Sequence, residues 1–374
     1  MTDLTRRFAF LTEADRLKSV ERANVLMDLS RPENSAEHSW HVALYALVFG
    51  ASDRAIAMIL LHDLVEIDTG DHPIHLAHDT AAVEAAELAA ALRLFAMLPD
   101  GARLLALWQE FESGQTADAR IAKRMDHIQP LFQVLGASEP LAEHVQIVRD
   151  NMTSGRARRL WTEWPEAMAA AQALLDGRAP QGDLARCLAF LAEADRLKSV
   201  SRASLLCDAS RRENSAEHSW HLALYALVMA PQAGPEVDIG RVIRMLILHD
   251  LVEIDAGDVP IHAQNGDAHH GAAQLAAEEA AADRLFGLLP APLGAELRAL
   301  WAEFEANETP DAVFAKSLDR AQPVMQNIAC GGGSWVEYSV TYEQLVERVG
   351  VRIQRGAPML WTWLSESARV YFRS

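Results

Sequence analysis

The stretch Arg31-Pro-Glu-Asn-Ser-Ala-Glu-His-Ser-Trp-His41 recurs with one change at Arg211-Arg-Glu-Asn-Ser-Ala-Glu-His-Ser-Trp-His221. Each copy is followed by a His-Asp pair, His62-Asp63 and His249-Asp250. Upstream, Phe10-Leu-Thr-Glu-Ala-Asp-Arg-Leu-Lys-Ser-Val20 is matched by Phe190-Leu-Ala-Glu-Ala-Asp-Arg-Leu-Lys-Ser-Val200, and downstream Asp126 is matched by Asp319. The spacing between copies widens along the chain because loops such as Pro231-Gln-Ala-Gly-Pro235 are inserted between motifs. A repeat of this length is a duplicated domain rather than a solenoid unit. The breaker-rich Gly177-Arg-Ala-Pro-Gln-Gly-Asp183 marks the seam, which gives domains at 1–180 and 181–374.

The chain has 374 residues, enough for two cores. With 50% hydrophobic and 23% charged residues it has the profile of a globular protein. A net charge of −18 excludes a general nucleic-acid binder, which needs clustered cations; a small anionic substrate would need a locally positive pocket. Cys187, Cys207 and Cys330 are far apart and odd in number, which argues for a reducing cytosol. Met1–Arg7 has no apolar core behind it and is not a signal peptide. Apolar runs such as Val42–Ala51 are too short for a membrane span. The expectation is a cytoplasmic protein without membrane or nucleic-acid partners.

Helical periodicity dominates. Thr80–Leu98 is Ala-rich, with Glu84 and Glu87 on one side and Leu88, Leu92 and Phe95 on another, and Ala272–Leu289 is its counterpart. Trp108-Gln-Glu-Phe111 and Trp301-Ala-Glu-Phe304 close matching amphipathic segments. Period-two alternation is scarce. The chain reads as all-α, each half a helical bundle.

His38 sits among Ala36, Trp40, Ala43, Leu44 and Leu47, and His62-Asp63 follow the apolar run Ile56-Ala-Met-Ile-Leu-Leu61. A lone histidine on an apolar helix is ordinarily a satisfied core residue. An ionised aspartate beside it is costly to bury unless it is paired or coordinated. Asp126, in Lys123-Arg-Met-Asp-His-Ile-Gln-Pro130, supplies a further carboxylate. Both copies retain every member, so the candidate metal ligands are His38, His62, Asp63 and Asp126, then His218, His249, Asp250 and Asp319.

The ordered set Arg31…Glu37-His38-Ser39, His62-Asp63-Leu-Val-Glu66…Gly70-Asp71 and Asp126, with its copy through Asp319, resembles the HD-domain phosphohydrolases, closest to their 5'-deoxynucleotidase branch. The resemblance covers most of each half. Two imidazoles and two carboxylates suit one divalent ion per half: Mn²⁺, Co²⁺, Fe²⁺, Ni²⁺ or Mg²⁺. The implied reaction is attack of a metal-activated water on a small phosphate monoester, first among them a nucleoside 5'-monophosphate. Alternatives are an HD-type phosphodiesterase, a nucleoside triphosphate hydrolase and, in another class, a non-catalytic nucleotide- or metal-binding regulatory module. The resemblance makes Glu66, Asp71, Glu253 and Asp258 catalytic or water-orienting. It places phosphate contacts at Arg22 and Arg202, with Lys18 and Lys198 as further substrate contacts. That branch carries a bulky aromatic directly after its Arg; Ala23 and Ala203 stand here, so a deoxyribose preference does not carry over. Family members commonly work as dimers, so the two HD domains are expected to pack as a pseudo-twofold dimer within one chain, itself monomeric or further assembled.

Other residues have supporting readings. His41 and His221 lie one turn beyond the first ligand and suit support rather than ligation. His75 and His262 align inside Pro-Ile-His, as candidate substrate contacts or ligands of a second metal. Arg31 and Arg211 are expected to brace the loop by pairing with carboxylates such as Glu33 and Glu213. Cys330-Gly-Gly-Gly-Ser-Trp335 is no P-loop and reads as a tight connection between helices.

Overall fold

Asn34-Ser-Ala-Glu37 spells a capping box, and it starts the helix Ser35–Val48. Asn34 Oδ1 accepts from the backbone N–H groups of Ala36 and Glu37 (3.1 and 3.0 Å), and the Glu37 carboxylate accepts from the Asn34 N–H at 2.9 Å. Asn214 and Glu217 repeat the arrangement for Ser215–Met229. Every residue of both helices is buried, so the pair forms the centre of the molecule. The structure, a computed structural model, describes residues 2–73, 76, 78–263 and 271–373.

The two central helices pack against each other about a pseudo-twofold axis. Against Ser35–Val48 pack Asp53–Leu61 and Ala117–Gly136, with Gly101–Ser113 on their outer side; against Ser215–Met229 pack Ile239–Leu248 and Pro310–Ala329, with Ala291–Ala306 on theirs. Reciprocal contacts stitch the halves together. Trp40 Nε1–H donates to the Ile247 carbonyl at 3.1 Å, and Trp220 Nε1–H donates to the Leu60 carbonyl at 3.3 Å. The helix Asp3–Ala14 is wedged between the halves: Arg6 donates to the carbonyls of Ala96, Met97 and Leu98 of its own half, while the helix packs on Ser215–Met229 and Pro310–Ala329. Gly182–Ala194 does the same in reverse, on Ser35–Val48 and Ala117–Gly136. One continuous apolar core runs through both halves. The all-α tandem arrangement therefore holds.

Three details differ from the sequence reading. Each half contains a two-stranded antiparallel ribbon, Glu21–Val25 with Pro32–Asn34 and Ser201–Leu205 with Arg212–Asn214. Its strands are short and only partly buried, so they leave no clean alternation of apolar residues. In Thr80–Phe95 the buried face is Ala90, Ala91, Leu94 and Phe95; Leu88 and Leu92 point outward. Arg31 pairs with Glu37 rather than Glu33, and Arg211 with Glu217, each also donating to a carbonyl of the other half, at Lys198 and Lys18.

The glycine run is the tight connection expected. Gly331, Gly332 and Gly333 all have positive φ, and a Cβ on Gly332 would lie 2.2 Å from the Tyr371 hydroxyl. Among the described residues no helix is long and apolar enough to cross a membrane.

A shared core predicts cooperative unfolding. Trp220 is fully buried and anchored in the other half. Replacing it with Ala is expected to cost about 3–5 kcal/mol, read by urea denaturation as one earlier transition. A surviving second transition, with residues 1–180 still folded, would contradict the shared core.

Candidate metal centre

The ligand histidines are delivered by helix ends with their rings already oriented. His62 follows Asp53–Leu61 at the start of a 3₁₀ turn, His62–Val65, and its Nδ1–H donates to the Ile59 carbonyl at 2.6 Å. That leaves Nε2 with a free lone pair pointing inward. His249 Nδ1 meets the Leu246 carbonyl in the same way at 2.9 Å. Trp108 Nε1–H holds the His62 carbonyl at 3.2 Å while the Phe111 ring meets the imidazole edge-on at 5.1 Å. Trp301 and Phe304 do this for His249. The repeated Trp-x-x-Phe is thus part of the site's support. It was visible in the sequence as a repeat, without a sign of its role.

His38, His62 and Asp126 converge in the first half and His218, His249 and Asp250 in the second, with Asp63 and Asp319 alongside. His38 Nε2 lies 3.1 Å from Asp126 Oδ1 and 4.0 Å from Asp63 Oδ2; His62 Nε2 lies 3.1 Å from Asp63 Oδ1 and 3.6 Å from Asp126 Oδ1. In the second half His218 Nε2 is 3.3 Å from Asp319 Oδ1, and His249 Nε2 is 3.0 Å from Asp250 Oδ1. Donors about 2.1 Å from one octahedral ion are separated by roughly 3 Å when adjacent and 4.2 Å when opposite. The observed spread matches that range. His62 Nε2 and His249 Nε2 are buried with no hydrogen-bond partner, an arrangement that a metal satisfies.

The electrostatics fit a cation. Burial opposes protonation of His62, but Asp63 and Asp126 outweigh it and raise the imidazole to about 9. Burial likewise opposes ionisation of Asp126, yet His38 and His62 hold it well below the usual carboxylate range. The carboxylates thus crowd the site with negative charge, which a divalent ion would offset.

Beside each ligand set lies an arginine on the ribbon. Arg22 Nη1 is 3.0 Å from Asp63 Oδ2 and 3.7 Å from both Glu66 and Asp71. Arg202 Nη1 is 2.6 Å from Asp250, 3.4 Å from Glu253 and 3.7 Å from Asp258. Glu66, on the short helix Glu66–Thr69, is pinned by Ser35 Oγ–H at 2.5 Å. Burial, together with Asp63 and Asp71, raises Glu66 well above its ordinary value against the pull of Arg22; Glu253 is raised for the same reasons. Glu66, Asp71, Glu253 and Asp258 therefore all stand at the ligand sets.

Lys18 and Lys198 do not. Both side chains are 0% exposed, and neither lines the cavity beside either ligand set. Lys18 Nζ meets Asp15, Glu213 Oε1 (2.6 Å) and His221 Nδ1 (2.9 Å); Lys198 Nζ meets Asp195, Glu33 Oε1 (2.7 Å), His41 Nδ1 (3.0 Å) and Gln133 (3.0 Å). The expectation of substrate contact fails because burial in a cage of acceptors leaves them no route to a ligand. Asp15, Glu213 and His221 also approach a ligand-like geometry, but the Lys18 ammonium fills their centre. His41 Nε2–H donates to the Leu191 carbonyl of the other half at 3.0 Å, so its Nδ1 accepts from Lys198; burial and Lys198 keep it neutral. Its role is support, as read.

Cavities open beside both sets. In the second half about 550 Å³ is bounded by His249, Asp250, Asp319, Arg202 and Arg320. In the first about 330 Å³ is bounded by Arg22, Ala23, Asp71, His72 and Leu131. His262 lines the second cavity, held down to about 4 by burial and the charges of Arg348 and Arg320. Its counterpart His75, with His269 and His270, lies outside the described residues.

Comparison with known proteins agrees with this geometry. The family model of the HD domain matches the chain twice, over residues 14–168 and 194–361. The chain is 29% identical over 162 residues to the 5'-deoxynucleotidase HDDC2 of Bos taurus, covering 43% of this chain and 73% of that protein. It is 23% identical over 138 residues to the 5'-deoxynucleotidase hdd1 of Schizosaccharomyces pombe, covering 37% and 68%. A solved structure, described as a "Predicted metal-dependent phosphohydrolase" from Magnetospirillum magnetotacticum, is 44% identical over 52% of this chain and 97% of its own, with a TM-score of 0.48. The chain belongs to the HD domain family, whose model matches most of both halves. HD domains bind divalent metal, and the donor sets here fit it.

Elemental analysis of the protein after incubation with Mn²⁺ is expected to find one ion per half. His62→Ala and His249→Ala should each remove one ion and leave the other. Retention of both ions in either variant would contradict these ligand sets.

Proposed function

We propose that each half, 1–180 and 181–374, hydrolyses a nucleoside 5'-monophosphate to nucleoside and inorganic phosphate. The observation that carries the reading is the orphaned His62 Nε2 beside Asp63 and Asp126, with an arginine and two further carboxylates alongside, repeated at His249 Nε2 in the second half. The ligands are His38, His62, Asp63 and Asp126 in the first half, and His218, His249, Asp250 and Asp319 in the second. A bound divalent ion supplies a low-pKa water and offsets charge on the phosphoryl group.

The chain's own side chains do the rest. Arg22, charged and held among Asp63, Glu66 and Asp71, is placed to exchange a carboxylate for a phosphate oxygen. Glu66 holds a proton more readily than an ordinary carboxylate, which suits it to take one from water and return it to the departing alkoxide. Ser35 fixes its position. Asp71, following Gly70 with φ +74°, lies 3.7 Å from the same Arg22 nitrogen and helps to orient it. Arg202, Glu253, Ser215 and Asp258 repeat the arrangement. The name of the relatives supports the nucleotide class. Ala23 and Ala203 line the two cavities and supply no group that reads the 2' position of the sugar.

A colorimetric screen for free phosphate tests this. Nucleoside 5'-monophosphates with Mn²⁺, Co²⁺ or Mg²⁺ are expected to release phosphate, and EDTA to abolish release. Hydrolysis of diesters or triphosphates instead would overturn the substrate class. With His249→Ala in place, Glu66→Gln is expected to lower kcat by about 10²–10⁴. Ribo- and deoxyribonucleotides should differ in kcat/KM by no more than about a hundredfold, because Ala23 and Ala203 offer no polar group to the 2' position.

A further inference from the structure

The catalytic reading leaves Glu33 and Glu213 unexplained: carboxylates with fully buried side chains, in the repeated stretch but outside both ligand sets. Burying a carboxylate is costly unless a cation accompanies it. For Glu33 that cation comes from the other half: Lys198 Nζ donates to Glu33 Oε1 at 2.7 Å. The second oxygen, Glu33 Oε2, lies 3.5 Å from His38 Nδ1 and 3.8 Å from Arg22 Nε. One carboxylate therefore faces a ligand histidine and the site's arginine, and a lysine from across the pseudo-twofold axis holds it there. The copy runs in the opposite sense. Lys18 Nζ donates to Glu213 Oε1 at 2.6 Å, and Glu213 Oε2 lies 3.4 Å from His218 Nδ1. There Gln322 adds a bridge, its Oε1 3.1 Å from His218 Nδ1 and its Nε2–H donating to Glu213 at 2.9 Å.

We propose that Lys198 and Lys18 are crosswise positioning residues: each fixes, through Glu33 or Glu213, the first ligand histidine of the opposite half's metal centre. A carboxylate facing Nδ1 of a ligand histidine selects the tautomer that leaves Nε2 for the metal, and it restrains the ring. His38 has no backbone carbonyl bonded to its Nδ1, unlike His62, so Glu33 is the group placed to set its orientation. Lys198 reaches into the first centre, and its own half's centre depends on Lys18. The two centres are thereby reciprocally dependent, and neither half is a self-sufficient enzyme. This role rests on the ligand sets proposed above.

The test is Mn²⁺ binding by titration calorimetry in two backgrounds of the full chain. His249→Ala leaves the first centre and His62→Ala leaves the second. In the first background Lys198→Met is expected to weaken Mn²⁺ binding by about 10–100-fold, the usual loss when a partner of a metal ligand is removed, while Lys18→Met leaves it unchanged. In the second background the effects exchange. Lys198→Met also strands a buried acid. The pair Lys198→Met/Glu33→Gln, which removes both charges, is expected to recover thermal stability but not metal affinity. If Lys198→Met does not fold, that pair provides the same crosswise comparison. Equal weakening at both centres, no weakening, or recovery of affinity together with stability would overturn the positioning role and leave a structural ion pair. Failure of the unmodified chain to bind Mn²⁺ would instead overturn the ligand assignment beneath it.

Discussion

The structure depends on burying charge at the contact between its halves. Glu37 and Glu217 face each other there with side chains 0% exposed. Each accepts from its own arginine and from the capping asparagine of the other half: Asn34 Nδ2 reaches Glu217 Oε1 at 2.7 Å and Asn214 Nδ2 reaches Glu37 Oε1 at 2.6 Å. Burial and the facing Glu217 push Glu37 up to about 7. Lys18 and Lys198 lie nearby, each caged by acceptors that include a glutamate of the opposite half. Separating the halves would leave two capping boxes short of a donor and would take from the buried Glu33 and Glu213 the lysines that bond them. An ordinary apolar interface exacts no such penalty, because exposed leucines can fold onto one another or onto a new neighbour. Unpaired buried charges have no comparable escape.

The same contact fixes the candidate metal ligands. His38 is four residues into the helix that begins at the capping box, so the register set by Asn34 and Glu37 sets where its ring points. His62 is placed independently, by the end of Asp53–Leu61 and the indole of Trp108. Asp126 reaches both histidines from the long helix Ala117–Gly136. Three rigid helices therefore converge on the donors, with the ribbon adding Arg22. A donor set drawn from separate rigid elements is held to a narrower geometry than one on a loop.

The sequence disclosed the centre because the chemistry needs particular residue types in a fixed order, and duplication printed that order twice. His38, His62-Asp63 and Asp126 were legible for this reason, as was the all-helical class. The capping box was present in the letters Asn34-Ser-Ala-Glu37 and merged into the ligand motif. What sequence could not disclose were roles set by the other half. Lys18 and Lys198 occupy a segment where a cation near a phosphate is chemically reasonable; only packing shows that each faces a glutamate across the axis. Glu33 was visible but attached to Arg31, its neighbour in sequence, whereas the structure gives Arg31 to Glu37. Contacts between residues some 165 positions apart, such as Lys198 with Glu33, leave no periodicity to read.

Duplication in one chain also decides where the halves can differ. Asp-Arg-Leu-Lys-Ser-Val and Glu-Asn-Ser-Ala-Glu-His-Ser-Trp-His are identical in both copies, and they contain most of the polar groups that cross the axis. A change in the groups that cross the axis would reach the opposite centre. The cavity walls carry no such double duty. After Asp126 stands His127, held down to about 4 by burial despite Asp126, with Arg159 and Arg156 adding to the shift; after Asp319 stands Arg320, which carries a fixed charge. Arg320 lines the second cavity, whereas His127 does not line the first, and the second is the larger, about 550 against 330 Å³. A fixed guanidinium beside the candidate metal ligands favours an anionic group in the second cavity. The two centres are tied together through their ligands and are free to differ in what they admit.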